Sequence, residues 1–249
     1  MSSVVWITGA TAGIGSGLAA TVPYPDVRVV NLSRSVHPEL ETVQFDLTRP
    51  DTYAAVANHF EATLRDFDGE RAIFIHNAYY PAVPGFVAEG DPSEYAKAIQ
   101  ANVAAPLLLG EMFLRFVRPG YESGLVLMSS AGARHPFEGL AHYCAGKSAV
   151  EMWVRVVRRE LARRNRDTWV VAVRPGFVDT PTTRMNAQQP AESYPVGPEI
   201  GRRLDVGTGV LTPEQAGRDI WAGLLDRATA ESVLLFGEMV PDSSPGRTE

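Results

Sequence analysis

Short apolar runs, each followed by a turn and then by a longer segment of helical periodicity, alternate along almost the whole chain. Seven runs read as buried strands: SVVWITG from Ser3, VRVVNLS from Val27, VQFDL from Val43 to Leu47, RAIFIHNA from Arg71, GLVLMSS from Gly124, TWVVAVRPG from Thr168 and SVLLFG from Ser232. Apolar residues at helical spacing fall near 14–22, 50–66, 92–118, 141–164 and 213–227. A strand that keeps returning after a helix implies parallel crossover units, and runs apolar at consecutive positions imply a sheet covered on both faces. The expected fold is a single α/β domain, a doubly wound parallel sheet of seven strands over residues 1–240. Its polar, proline-rich stretch at 181–210 is expected to cover a ligand, and the polar end 241–249 to fray.

Two helices carry more apolar surface than one sheet can cover. In the segment ending near 118, Leu107, Leu108, Leu109, Met112, Phe113, Phe116 and Val117 spread around most of the circumference. In the next helix Val150, Val154, Val157 and Leu161 form one stripe, and Ala145, Ala149, Met152 and Val156 form a second. A helix apolar on two sides needs two partners, so a homodimer or homotetramer packed through this pair is expected; a covering loop is the alternative.

Composition narrows the class without changing the fold. The chain has 249 residues, 45% hydrophobic and 21% charged, which suits an ordinary globular domain able to bury a large core. A net charge of −6 argues against nucleic acid as a partner. The basic run from Arg155 to Arg166 lies toward the end of a helix, where cations complement the helix dipole. Cys144 is the only cysteine, so no internal disulfide can form, and no run reaches membrane-spanning length. A cytoplasmic protein, without membrane or metal, is the expectation.

Chemistry concentrates in two places. TGATAGIG follows the first strand and enters a helix, so Gly9, Gly13 and Gly15 allow a tight turn with backbone N–H groups aimed at a pyrophosphate. Further on, YCAGK sets Tyr143 and Lys147 on one helical face, with Ser130 at the end of the fifth strand. Taken alone, such a pair is as readily a ring covered by an aliphatic stem.

The motifs taken together resemble the short-chain dehydrogenase/reductase family. Besides Gly9, Gly13 and Gly15, they comprise HNA at His76 to Ala78, the set Ser130, Tyr143 and Lys147, and RPGFVDT from Arg174 to Thr180, in family order over nearly the whole chain. HPFEGLAHYCAGKSAVEM and RPGFVDTPTTRM look most like the branch with sepiapterin reductase and the bacterial benzil reductases. Two departures stand out. Tyr79 replaces the usual glycine after HNA, and Leu235 lies near the place of the aspartate that anchors a pterin in sepiapterin reductases.

The resemblance implies a bound nicotinamide dinucleotide. Thr8, Thr11 and Ile14 join the three glycines around its pyrophosphate, Asp46 and Leu47 border the adenine, and Asn77 and Ala78 line its sugar side. Pro175 and Gly176 bend the chain past the nicotinamide, with Val178 and Thr180 near its carboxamide or phosphates. Strand two ends in NLSRS, where Ser33 and Arg34 stand without an acid. A guanidinium there pairs with a 2′-phosphate, so NADPH (NADP+) is expected over NADH. Read more plainly, Arg34 is a surface arginine and Asp46 caps the following turn.

The implied activity is reduction of a carbonyl, a small ketone or a 1,2-dicarbonyl. Tyr143 is the general acid, Lys147 lowers its pKa and holds the nicotinamide ribose, and Ser130 donates to the substrate oxygen. Asn102, in QANVAAP, matches the asparagine that holds a water linking the lysine to solvent, or else kinks the helix. Phe137, Tyr80, Phe177, Met185 and Tyr194 are candidate pocket walls. The alternatives are a sepiapterin-type or other alcohol dehydrogenase of the family, and a dinucleotide-binding regulator without turnover.

Overall fold

The computed structural model describes residues 2–226 and 231–236. It holds a seven-stranded parallel sheet formed by β1 (Ser3–Thr8), β2 (Val27–Ser33), β3 (Glu41–Gln44), β4 (Arg71–His76), β5 (Glu122–Met128), β6 (Trp169–Arg174) and β7 (Val233–Leu235). The spatial order is β3-β2-β1-β4-β5-β6-β7. The chain therefore winds outward from β1 in one direction, returns to place β4 on its other side, and winds outward again. This reversal opens a crevice beyond the carboxyl ends of β1 and β4, the place where such sheets bind ligands.

Helices α1 (Gly13–Ala20) and α8 (Pro213–Leu225) cover one face, and α2 (Tyr53–Arg65), α4 (Ala105–Phe116) and α5 (Ala141–Arg163) cover the other. Alternation along the strands divides the core accordingly. Val4 and Trp6 of β1, with Ala72 and Phe74 of β4, pack under α2, α4 and α5 among Phe60 and Phe113. Val5, Ile7, Ile73 and Ile75 point the other way, against Leu18 and Trp221. The helices α1 and α8 nearly touch: a Cβ on Gly17 would lie 1.8 Å from the Pro213 carbonyl oxygen, so only glycine fits.

Three segments differ from the sequence reading, each for a local reason. The third strand ends at Gln44, because Asp46 Oδ1 accepts from both the N–H and the hydroxyl of Thr48 and turns the chain out of the sheet. The helix expected over 92–118 is α3 (Pro92–Ile99), a π-turn at Gln100–Ala104 and then α4. Pro106 has no N–H for the carbonyl four residues back, and Ala105 N–H reaches to Gln100 instead.

The polar stretch at 181–210 contains two short helices, α6 (Pro181–Ala187) and α7 (Gly197–Val206). Thr180 caps α6 and Gly207, at φ 74°, ends α7. Leu211 N–H donates to Phe177 O and Asp179 N–H to Leu211 O, both at 2.9 Å, so the excursion is clamped where it leaves and rejoins the fold. The end expected to fray, 241–249, lies outside the described residues.

Candidate active site

The crevice is a cleft of about 1520 Å³. It runs from the end of β2, past the turn between β1 and α1, to the front of α5 and the α6–α7 excursion.

At its floor the chain turns sharply through Gly9 and Gly13, whose φ angles of 71° and 55° suit glycine. Gly15 lies in the first turn of α1, and a Cβ there would sit 2.0 Å from the Gly9 carbonyl oxygen. Thr8 is buried and joins strands: its Oγ1 accepts from the N–H groups of Asn77 and Ala78, both at 2.8 Å, while Asn77 Nδ2 donates to Thr8 O at 3.1 Å. Thr8 and Gly15 therefore shape the turn from behind. Gly9, Thr11, Gly13, Ile14, Asn77 and Ala78 line the cleft itself.

At the β2 end, Ser33, Arg34, Asp46 and Leu47 line the cleft together. Burial raises the Asp46 carboxyl, and the two Thr48 hydrogen bonds, with the charges of Arg34 and Arg49, more than reverse this and leave it below its ordinary value. Asp46 thus both borders the cleft and caps its turn.

At the other end Ser130, Tyr143 and Lys147 share the wall with Pro175, Gly176, Val178 and Thr180. Ser130 leaves β5 in extended conformation, and its Oγ accepts from Gly132 N–H at 3.2 Å. Lys147 Nζ donates to Met128 O at 2.7 Å and lies 5.6 Å from the centroid of the Tyr143 ring. Burial lowers the ammonium to about 8. Burial also raises the Tyr143 phenol, and the Ser130 hydroxyl pulls the other way without overcoming it. The helical spacing led to the expectation that Lys147 lowers the phenol; within the protein alone, desolvation wins.

Asn102 does not line the cleft. Its side chain is spent on the backbone of Tyr80, accepting from the N–H at 2.8 Å and donating to the carbonyl at 2.9 Å. Tyr80, Phe137, Phe177 and Tyr194 line the cleft, whereas Met185 is not among its walls. Cys144 sits half-buried, its thiol raised by burial, and packs near the His135 carbonyl.

The departure at Tyr79 enters the site, together with residues that motif reading left aside. Tyr79 stands edge-on to Tyr143, with ring centroids 5.4 Å apart, and its ring faces Lys147 Nζ at 5.9 Å. Arg203 of α7 lies 4.4 Å over the Phe177 ring, tying the excursion to the loop after β6. Beneath Lys147, Glu151 receives a bidentate pair from Arg174 and a hydrogen bond from Ser129. One signal for Glu151 was available: it follows Lys147 by four residues on the same helical face. Among the described residues no cluster of His, Cys, Asp or Glu could hold a metal ion, and no helix is long and apolar enough to cross a membrane.

Comparison with known proteins agrees with this fold. The profile described as short chain dehydrogenase matches residues 3–191. Benzil reductase ((S)-benzoin forming) of Bacillus subtilis is 28% identical over 182 residues, 70% of this chain and 74% of that protein. Sepiapterin reductase of Xenopus tropicalis is 35% identical over 121 residues, 48% of this chain and 43% of that protein. Among solved structures, the ligand-free aldohexose dehydrogenase of Thermoplasma acidophilum covers 94% of this chain and 91% of its own, with a TM-score of 0.76 at 20% identity.

Proposed function

The chain belongs to the short chain dehydrogenase family of oxidoreductases, and from that premise we propose that it is an NADPH-dependent reductase of a small ketone or 1,2-dicarbonyl. The observation that carries this reading is the convergence of Ser130, Tyr143 and Lys147 on one wall of a cleft whose floor is a glycine turn.

The cleft fits a dinucleotide on its own geometry. Gly9 and Gly13 hold backbone that a side chain would strain, and the Cβ absent from Gly13 would meet Thr180 at 3.4 Å, in space a pyrophosphate can use. Gly9, Thr11, Gly13 and Ile14 would hold that pyrophosphate, Ser33 and Arg34 a 2′-phosphate, and Asp46 and Leu47 the adenine. Asn77, Ala78, Tyr143 and Lys147 would hold the sugar of the nicotinamide half, with Pro175, Gly176, Val178 and Thr180 beside its ring. When bound, NADPH supplies the hydride.

The protein's own work is orientation and proton supply. Ser130 Oγ donates to the substrate oxygen and stabilises the negative charge that grows there. Tyr143 gives its proton to that oxygen. An ammonium of pKa about 8 beside it can exchange protons near neutrality and favours transient phenolate. Asn102 acts by fixing Tyr80, one residue beyond Tyr79. The α6–α7 excursion brings Tyr194, almost fully buried, over the same space and keeps water from it.

An aromatic substrate suits these walls. Tyr79, Phe137, Phe177 and Tyr194 line the cleft, and Leu235 offers no carboxylate to a pterin. This favours a carbonyl beside an aryl group, the chemistry named for the Bacillus subtilis relative, over a pterin. The test is oxidation of NADPH and NADH with a panel of aryl ketones and diketones, comparing the wild type with Tyr143→Phe. Turnover in the wild type and a loss of about 10²–10⁴-fold in the variant are expected. Equal rates in the two proteins would refute the assignment.

A further inference from the structure

Asn31 is a polar residue at the middle of β2 with no exposed surface. Its neighbours Val30 and Leu32 enter the core under α2, α4 and α5, so Asn31 points to the opposite face, toward the glycine turn. There Ala10 N–H donates to its Oδ1 at 3.1 Å. A backbone N–H can only donate, which fixes the amide: oxygen inward, nitrogen outward.

Outward, Nδ2 reaches three acceptors at 3.1 Å each, Ser33 Oγ, Ser35 O and Thr42 Oγ1. Ser33 Oγ itself donates to Ser35 O at 2.7 Å, and Gln44 Nε2 donates to Arg34 O at 3.0 Å. The backbone on both sides of Arg34 is therefore held, while among the described residues its guanidinium makes no hydrogen bond or ion pair. A buried amide with both ends engaged links the glycine turn, 21 residues before it, to the Ser33–Ser35 loop that follows it.

We propose that Asn31 is a positioning residue for cofactor choice: it ties the glycine turn to the Ser33–Ser35 loop, so that Arg34 is presented ready-made to a phosphate on the adenosine 2′ oxygen. The proposal rests on the reading of NADPH as the cofactor. Its physical basis is preorganisation. An arginine on an unheld loop must lose backbone freedom when it pairs with phosphate, and here that freedom is already gone. Gln44 acts on the same loop from outside. A purely structural Asn31 would support all nucleotides alike; a positioning one acts on the 2′-phosphate.

Equilibrium binding separates these roles without turnover. The full chain is titrated calorimetrically with 2′,5′-ADP and with 5′-AMP, which differ only in the 2′-phosphate. The wild type is expected to bind 2′,5′-ADP more tightly. Asn31→Leu is expected to weaken 2′,5′-ADP by roughly tenfold, about one charge-assisted hydrogen bond, with much less effect on 5′-AMP. Gln44→Ala removes an exposed side chain, keeps the core intact, and is expected to act in the same direction more weakly. It gives an answer even if Asn31→Leu does not fold. A wild type without preference between the two nucleotides would sink the NADPH reading itself. A wild type that discriminates, with variants that leave the ratio unchanged, overturns the role of Asn31 alone.

Discussion

Lys147 lies one helical turn beyond Tyr143, and its Nζ donates at 2.7 Å to the carbonyl oxygen of Met128, the last residue of β5. That bond anchors the ammonium against the sheet, while burial holds its pKa at about 8. If this ammonium supplies charge and protons to the phenol, carbonyl reduction must fade as it deprotonates. kcat for reduction is expected to hold below about pH 8 and to decline above it. A profile flat up to about pH 10, the ordinary range of a phenol, would remove Lys147 from the chemistry.

Glu151 and Arg174 are 2% and 7% exposed and make a bidentate pair at 2.7 and 2.8 Å, which docks α5 on the end of β6. Ser129 adds a hydrogen bond at 2.7 Å, so the pair also secures the residue before Ser130. Removing Arg174 leaves the buried Glu151 carboxylate with only a longer cationic contact, 3.3 Å, to the more exposed Arg155. Arg174→Met is expected to lower the unfolding free energy by about 3 kcal/mol or more in urea. The double variant Glu151→Leu with Arg174→Met should recover part of that loss, because no charge is then stranded. Equal loss in single and double variants would show that packing, and not charge, sets the cost.

His76, the last residue of β4, is buried with its Nε2 unpartnered. Burial first, and the nearby Lys147 second, lower its pKa from 6.5 to about 3. The native state thus keeps His76 neutral where the unfolded chain would already be protonated. Its contribution to stability is complete above about pH 6.5 and is lost as pH falls toward about 3, roughly 5 kcal/mol in all. Unfolding curves at neutral pH and near pH 4 are expected to show a smaller acid loss in His76→Leu than in the wild type. An equal loss would place the acid sensitivity elsewhere.

How far the fold could be read from the sequence depended on whether the determining contacts were local. Strands β1, β4, β5 and β6 were legible because their apolar runs are buried on both faces, and Tyr143 and Lys147 because four residues make one helical turn. Helices α6 and α7 were not, since few apolar side chains mark them and their signals, Thr180 before Pro181 and the glycine at 207, are caps of a kind that loops also use. The pairing of Glu151 with Arg174 needed α5 laid against β6, 23 residues away. The upward shift of Tyr143 needed the depth of the cleft. Spacing showed which groups meet, and burial decided their charge.

The outer face of α4 and α5 leads to the last expectation. Val150, Val154, Val157 and Leu161 of α5 enter the core, as the first apolar stripe requires. The second stripe does not: Met152 is 56% and Val156 45% exposed, and Leu108 on α4 is 44% exposed. Ala145 and Ala149, small residues on the same stripe, leave room for another helix to approach. A second copy of this chain is the partner that such a face fits, because in a twofold interface the same stripe meets itself. Every substitution there is counted twice, so charges at Met152 and Val156 would oppose their own symmetry mates. Sedimentation is expected to give a dimer or tetramer for the wild type and a species half that size or smaller for Met152→Lys with Val156→Lys. The variant's unfolding should become independent of protein concentration if a monomer remains, since the stabilisation that association lends scales with concentration. A wild type that sediments as a monomer at micromolar concentration would mean that the stripe has some other occupant.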